Sequence, residues 1–235
     1  VSILADVLVI AAHPDDAEFG AGGTVAAWTG QGKKVVYVIC TNGDKGTSDP
    51  DMAPERLAEI RETEQREAAA VLGVREVVFL RHPDQSLEDT PAFRKEIVRV
   101  IRAYRPRTVA TSDPYRRYIS HRDHRITGQV VLDAVYPFAR DPLSYPDLLK
   151  QGLAPHKVQE LLFWGSDDVN YRSDITATFD LKVAALRCHG TQMEQIARAV
   201  GSTDLEGWLR PLCKAFAGQE GFELAEAFHR VEVFK

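Results

Sequence analysis

The feature that most restricts the fold is the segment Val7-Leu8-Val9-Ile10-Ala11-Ala12, an apolar run with no polar interruption. A strand with one solvated face alternates polar and apolar residues, whereas a short continuous run suits a strand covered on both faces. The pattern returns at Val35 to Cys40, Val77 to Leu80 and Thr108 to Thr111. Between the runs lie helical stretches: Ala21 to Thr29 closed by Gly30, Pro54 to Leu72 closed by Gly73, and Pro91 to Tyr104 ahead of Pro106. Strand and helix alternating in this way predict right-handed βαβ units. The expected fold is α/β and Rossmann-like, a mainly parallel sheet with helices on both faces and a ligand crevice at the carboxyl ends of the strands.

The second half is less regular. It predicts a helix from Ile126 to Val135, a Pro-rich stretch from Pro137 to Pro155, a strand at Leu161 to Trp164, helices from Asp180 onward and a terminal strand within Phe222 to Phe234. The 235 residues suffice for one large core and offer no boundary, so residues 1–235 are read as a single domain. A net charge of -5 with mixed signs along the chain excludes a basic face for nucleic acid, leaving a small molecule as the expected partner. Cys40, Cys188 and Cys213 are odd in number and lack metal-ligand spacing, which points to free thiols in a reducing compartment. No run is long enough for a membrane span, and the start lacks a basic leader; the expectation is a cytoplasmic protein with no membrane partner. Association into a homo-oligomer is left open.

Directly after the first strand comes His13-Pro14-Asp15-Asp16-Ala17-Glu18, an imidazole and carboxylates where α/β sheets bind ligands. Pro14 stiffens the turn and helps aim His13 and Asp16 in a common direction. The loop expected after the fourth strand, Ser112 to Arg125, carries His121-Arg122-Asp123-His124. Adjacent parallel strands would bring the two loops together, and His13, Asp16 and His124 would then form a two-histidine, one-carboxylate metal set with open positions, the catalytic pattern for zinc. Taken singly, each loop also reads as a solvated turn whose aspartate caps a helix. Their shared position at strand ends favours a site.

Ala12-His13-Pro14-Asp15-Asp16-Ala17-Glu18 with the later His121-Arg122-Asp123-His124 resembles the LmbE-like, or PIG-L, family of zinc-dependent N-deacetylases. The resemblance extends through Gly22-Gly23-Thr24, Thr41-Asn42-Gly43, Arg61, Glu64, Pro83-Asp84, and Lys182, His189 and Gln192, although Thr191 stands where a serine is commoner. It implies a Rossmann-like deacetylase domain acting on N-acetylated amino sugars of the N-acetylglucosamine type. It also implies that Asp15 is the general base and that Arg61 and Asp84 contact sugar hydroxyls. His121 is expected to stabilise the oxyanion as an imidazolium, with Asp123 holding its ring and raising its pKa. Glu18 is read as a partner of His13 or a favourable charge at a helix start, and His189 and the exposed Tyr115-Arg116-Arg117-Tyr118 cluster stay outside the assigned set.

Three alternatives accompany this reading. Ligand types alone also admit Fe2+, hence a two-histidine, one-carboxylate iron oxygenase, although the scaffolds known for that chemistry are double-stranded β rather than α/β. A zinc amidase acting on a non-sugar amide shares the same centre. A dinucleotide-binding module is disfavoured, because Gly20, Gly22 and Gly23 follow the acidic motif and two aspartates there would repel a pyrophosphate.

Overall fold

In the computed structural model, which describes residues 4–233, each apolar run is a strand of one sheet. β1 (Val7–Ala11) lies between β2 (Val35–Thr41) and β4 (Thr108–Ser112), with β3 (Glu76–His82) beyond β2. All four are parallel, Val7 pairing with Val35 on one side and Thr108 on the other. β5 (Glu160–Trp164) adds a parallel strand beside β4. β6 (Tyr171–Asp174) and β7 (Ala225–Glu232) complete the far edge antiparallel, in the order β3-β2-β1-β4-β5-β7-β6.

Side chains alternate between faces along each strand, and both faces are covered. Leu8, Ile10, Val36 and Val38 pack with Ile97 and Ile101 of α3 (Pro91–Tyr104) and Val130 and Val131 of α4 (Arg122–Asp133). Val7, Val9, Tyr37 and Ile39 pack against Ala21 and Val25 of α1 (Asp16–Gly30) and Ala68 of α2 (Pro54–Val71). Each fully buried Val, Leu or Ile contributes about 1.5–3 kcal/mol to folding. A short α5 (Pro146–Lys150) follows in the Pro-rich stretch, and α6 (Phe179–Arg187), α7 (Gly190–Val200) and α8 (Leu205–Ala217) precede β7. A further cluster of Ile175, Phe179, Val183, Leu209 and Cys213 joins α6 to α8. Cys40, Cys188 and Cys213 are free thiols, and no described helix is long and apolar enough to cross a membrane.

Three expectations move. α1 begins at Asp16 rather than Ala21, because Gly20 and Gly23 are helical residues chosen for contact instead of turn formation. A Cβ on Gly20 would come within 2.4 Å of Trp164, and one on Gly23 within 2.7 Å of Ile175. α4 begins at Arg122 instead of Ile126, so Asp123 and His124 lie in its first turn rather than in a loop. The polar strand β6 was not anticipated, since it pairs only with β7 at the sheet edge and carries no apolar run. Phe234, the end of the expected terminal stretch, lies outside the described residues.

α6 is tied to β7 by a buried ion pair, and both partners also bond the backbone of α1. Lys182 Nζ donates to Glu226 Oε1 at 2.5 Å and to the carbonyls of Glu18 and Phe19 at 3.0 and 2.6 Å. Glu226 in turn accepts from the amides of Gly23 and Thr24 at 2.9 and 2.8 Å. Removing one partner of such a pair leaves an uncompensated buried charge, which typically costs about 3–5 kcal/mol. Lys182→Met is therefore expected to lower unfolding free energy by that amount in urea titration; a loss below about 1 kcal/mol would place the pair in contact with water.

Candidate metal centre

Because β1 and β4 are neighbours and parallel, the chain leaves both at the same end, and each exit delivers an imidazole. After β1 the backbone turns through Pro14 and Asp15 into α1. The turn is held by the His13 amide, which donates to Asp16 Oδ2 at 2.8 Å. After β4, Ser112 Oγ donates to His124 O at 2.7 Å and fixes the first turn of α4 against the strand end. His13 Nδ1 then lies 3.1 Å from His124 Nε2 and 3.3 Å from Asp16 Oδ2. His124 Nε2 lies 3.0 Å from Asp16 Oδ1.

These donors form a triangle of the right size for a metal. Tetrahedral zinc with bonds of about 2.0–2.1 Å separates its ligand atoms by about 3.3 Å. The other nitrogen of His13, Nε2, is 2.9 Å from Asp84 Oδ1 and 3.4 Å from Asp123 Oδ2, the carboxylate backing that orients a metal-binding imidazole. Electrostatics point the same way. Burial would lower the pKa of His13, but the Asp16 charge and contacts with Asp123 and Asp84 outweigh it and push it up to about 12. Burial likewise opposes, and Asp16 overcomes, protonation of His124, whose pKa is raised. A cluster with this many carboxylates could hold a divalent cation. The imidazole nitrogens of His13, His121 and His124 also lie within 4.8 Å of one another. Asp16 meets His13 and His124 directly, at 3.3 and 3.0 Å.

Asp15 is buried and sits in the left-handed region, φ 97°. Burial pushes its carboxyl up to about 6, with the Asp16 charge adding and the Arg61 guanidinium opposing. A carboxylate near neutrality is suited to taking up and releasing a proton. His121 caps α4: its Nδ1 accepts from the Asp123 amide at 3.2 Å, which leaves the proton of the neutral ring on Nε2.

This corrects the role expected for Asp123. Its carboxylate does not hold the His121 ring; Oδ2 accepts from the Gln85 amide at 2.7 Å and approaches His13 instead. Residues two apart on a helix do not face one another, which is why a carboxylate adjacent in sequence serves a different imidazole. Burial lowers the pKa of His121, and positive charge on His13 and His124 lowers it further, against Asp123 and Asp84. With Nδ1 occupied as an acceptor, the ring can offer a donor only through Nε2.

Arg61 is 3% exposed and is not the solvated helix residue its neighbours allowed. It donates to Pro14 O at 2.6 Å and Gly43 O at 3.0 Å and lies 3.3 Å from Asp15 Oδ2. Arg61, Asp84, Asp15, His13 and His121 line one cleft of about 240 Å3 together with Lys45 and Gln192. Larger clefts, about 420 and 440 Å3, lie at the opposite end of the sheet around Arg107, Glu160 and Arg230 and contain none of these residues. Tyr115 and Tyr118 are exposed. Glu18 does not meet His13; it is fully buried with Gln65 and His189. Gln65 and Lys45 were missed from sequence. The signal for Gln65 was its place four residues after Arg61, on the same helix face.

A family model described as PIG-L, GlcNAc-PI de-N-acetylase, matches residues 8–135. Diacetylchitobiose deacetylase from Thermococcus kodakarensis is 36% identical over 225 residues, covering 96% of this chain and 82% of the relative. The structure of N,N'-diacetylchitobiose deacetylase from Pyrococcus horikoshii, complexed with its inhibitor MPG, superposes with a TM-score of 0.89. It is 32% identical, and the match covers 97% of this chain and 84% of that one. A probable N-acetyl-alpha-D-glucosaminyl L-malate deacetylase 2 of Bacillus cereus is 31% identical over 193 residues, covering 80% of this chain and 84% of the relative.

The Glu18–His189 pair beneath the site has a pH signature. Burial opposes charge on His189, but Glu18 raises its pKa above the ordinary 6.5. A raised folded-state value means that the stabilisation is complete below the unfolded pKa and declines as pH rises through the folded one. The stability difference between the parent and His189→Gln, measured by urea unfolding, should therefore narrow as pH rises above the ordinary histidine value of 6.5. A difference independent of pH would mean that the pair is not ionised.

Proposed function

The chain belongs to the PIG-L, or LmbE-like, family, and we propose that it is a zinc-dependent N-deacetylase that releases acetate from an N-acetylglucosamine-type amino sugar. The observation that carries this reading is the triangle of His13, Asp16 and His124 with the Asp15 carboxylate beside it, at the adjoining ends of β1 and β4. The enzyme is an amide hydrolase on residues 1–235 read as one domain, supported by a sheet that takes strands from both halves of the chain.

His13, Asp16 and His124 would hold a divalent ion, which would lower the pKa of a water molecule and polarise the acetamide carbonyl. Asp15, ionised, takes a proton from that water as the new C–O bond forms, and delivers it to the nitrogen as the C–N bond breaks, giving acetate and a free amine. His121 directs its Nε2–H toward the developing oxyanion, a donor already aimed by its bond to the Asp123 amide. Asp123 and Asp84 hold His13 from behind. Arg61, whose Nε is buried without a partner among the described residues, and Asp84 line the cleft and are assigned to ring hydroxyls. A cleft of about 240 Å3 accommodates one ring-sized group, short of the roughly 300–1,000 Å3 of sites that enclose drug-sized ligands. The free thiols suit a cytoplasmic location.

Elemental analysis is expected to find about one zinc-class ion per chain, lost on replacing His13, Asp16 or His124 by alanine, because a three-ligand site cannot spare one. Asp15→Asn keeps the metal and loses roughly a hundredfold to ten-thousandfold in kcat. The base works ionised, so the rate falls as pH drops through the Asp15 pKa; a cation alongside moves that limb below about 6. Full metal content in His124→Ala, or near-parental turnover in Asp15→Asn, would reassign those roles.

The substrate reading is tested by following acetate and amine release. The zinc-loaded enzyme should favour N-acetylglucosamine derivatives over N-acetyl-lysine by at least about tenfold in kcat/KM, because a site built to pair hydroxyls is left with unpaired polar groups by an analogue lacking them. Preference for acetyl-lysine would leave a zinc amidase acting on a non-sugar amide.

A further inference from the structure

Two side chains of α2, one turn apart, hold both polar atoms of a single peptide unit. Arg61 Nη2 donates to the Pro14 carbonyl at 2.6 Å, and Gln65 Oε1 accepts from the Asp15 amide at 3.0 Å. The carbonyl and amide of one planar peptide point in opposite directions, so anchoring both fixes the plane from which the Asp15 side chain departs. That control is needed, because Asp15 sits at φ 97°, ψ -28°, a conformation costly for a residue with a Cβ. Arg61 alone leaves the amide end without a partner.

The Gln65 amide is itself held in one sense. Its Nε2 donates to Glu18 Oε1 at 2.8 Å, and the other Glu18 oxygen lies 3.2 Å from His189 Nε2. Gln65, Glu18 and His189 are fully buried, at 0% exposure each, so water does not compete for these bonds. An ionised carboxylate only accepts, so Glu18 requires the NH2 of Gln65 on its side and turns the carbonyl toward Asp15. We propose that Gln65 is a positioning residue for the Asp15 carboxylate, and that Glu18, itself held by His189, selects the face of the Gln65 amide that meets the Asp15 backbone. This assignment rests on Asp15 being the base.

The test uses the zinc-loaded enzyme and two linked substitutions. Gln65→Met removes both bonds at nearly constant volume. It should lower kcat by about ten- to a hundredfold, as small misplacements of a reacting group do, with KM changed less than about twofold and zinc content at the parental level. Hydrogen exchange at the Asp15 amide, followed by NMR, should become fast in this variant while the amides of β1 stay protected. Gln65→Glu sets a carboxylate against Glu18 and should also be slow. Gln65→Glu combined with Glu18→Gln exchanges amide and carboxylate while restoring every donor to an acceptor, and should recover at least about tenfold in kcat over Gln65→Glu. The exchange pair also carries the test if Gln65→Met does not fold. Parental kcat in Gln65→Met, or no recovery in the exchanged pair, overturns the proposal. Asp15→Asn separates the two levels. If it is slow while Gln65→Met is parental, only the positioning role falls; if it is as fast as the parent, the base assignment falls and takes the positioning role with it.

Discussion

The parallel pairing of β1 with β4 is the constraint on which the rest of the molecule turns. Val7 to Ile10 align with Thr108 to Thr111, so the two strands end side by side. His13 follows β1 closely, and the longer connection over residues 113–121 returns to the strand end, where Ser112 Oγ donates to His124 O. The sheet is insulated from water on both faces by α1 and α2 on one side and α3 and α4 on the other. Burial of apolar surface thus secures the spacing of the proposed metal-binding atoms, and the bonds of His13 to Asp16 and of Ser112 to His124 complete it.

That placement creates an electrostatic problem. Asp15, Asp16, Asp84 and Asp123 all stand at or beside His13 and are largely removed from solvent. Like charges so close repel, and each has lost part of its hydration. The structure answers with Arg61 next to Asp15, amide donors to Asp16 and Asp123, and the imidazoles of His13 and His124 set among the carboxylates, whose charge raises the pKa of both rings. His13 divides the arrangement: Nδ1 faces Asp16 and His124, while Nε2 faces Asp84 and Asp123. One imidazole therefore has a ligand side and a support side, and carboxylates on the support side make the ligand nitrogen more basic.

Much of this was legible in the chain. Continuous apolar runs give the buried parallel strands, and the motifs at the ends of β1 and β4 locate His13, Asp16 and His124, because strand ends are where such sheets bind ligands. Helix starts were read too late at both motifs. Gly20, Gly22 and Gly23 resemble a turn in sequence and are in fact the close-packed surface of α1 against Trp164, Lys182 and Ile175. Long-range partners were hidden for a different reason. Glu226 and Glu18 are more than 200 residues apart, yet both meet Lys182, and no local pattern announces a contact that depends on how α6 and β7 dock. The polarity of Asp123 was visible but its direction was not, since direction depended on where α4 begins.

The division of labour on α2 follows from the same geometry. This helix crosses behind the turn after β1, and residues four apart present one face to it. Arg61 brings charge to a carboxylate that burial would otherwise protonate; Gln65 brings a neutral amide that can accept from backbone on one side and donate to Glu18 on the other. A second cation at position 65 would depress the Asp15 pKa further and weaken it as a base, and a carboxylate would stand against Glu18. An amide satisfies both neighbours without altering the charge around Asp15. In the proposed role, Asp15 can then remain a stronger acceptor than an exposed aspartate, because burial raises its pKa against the opposing Arg61 charge.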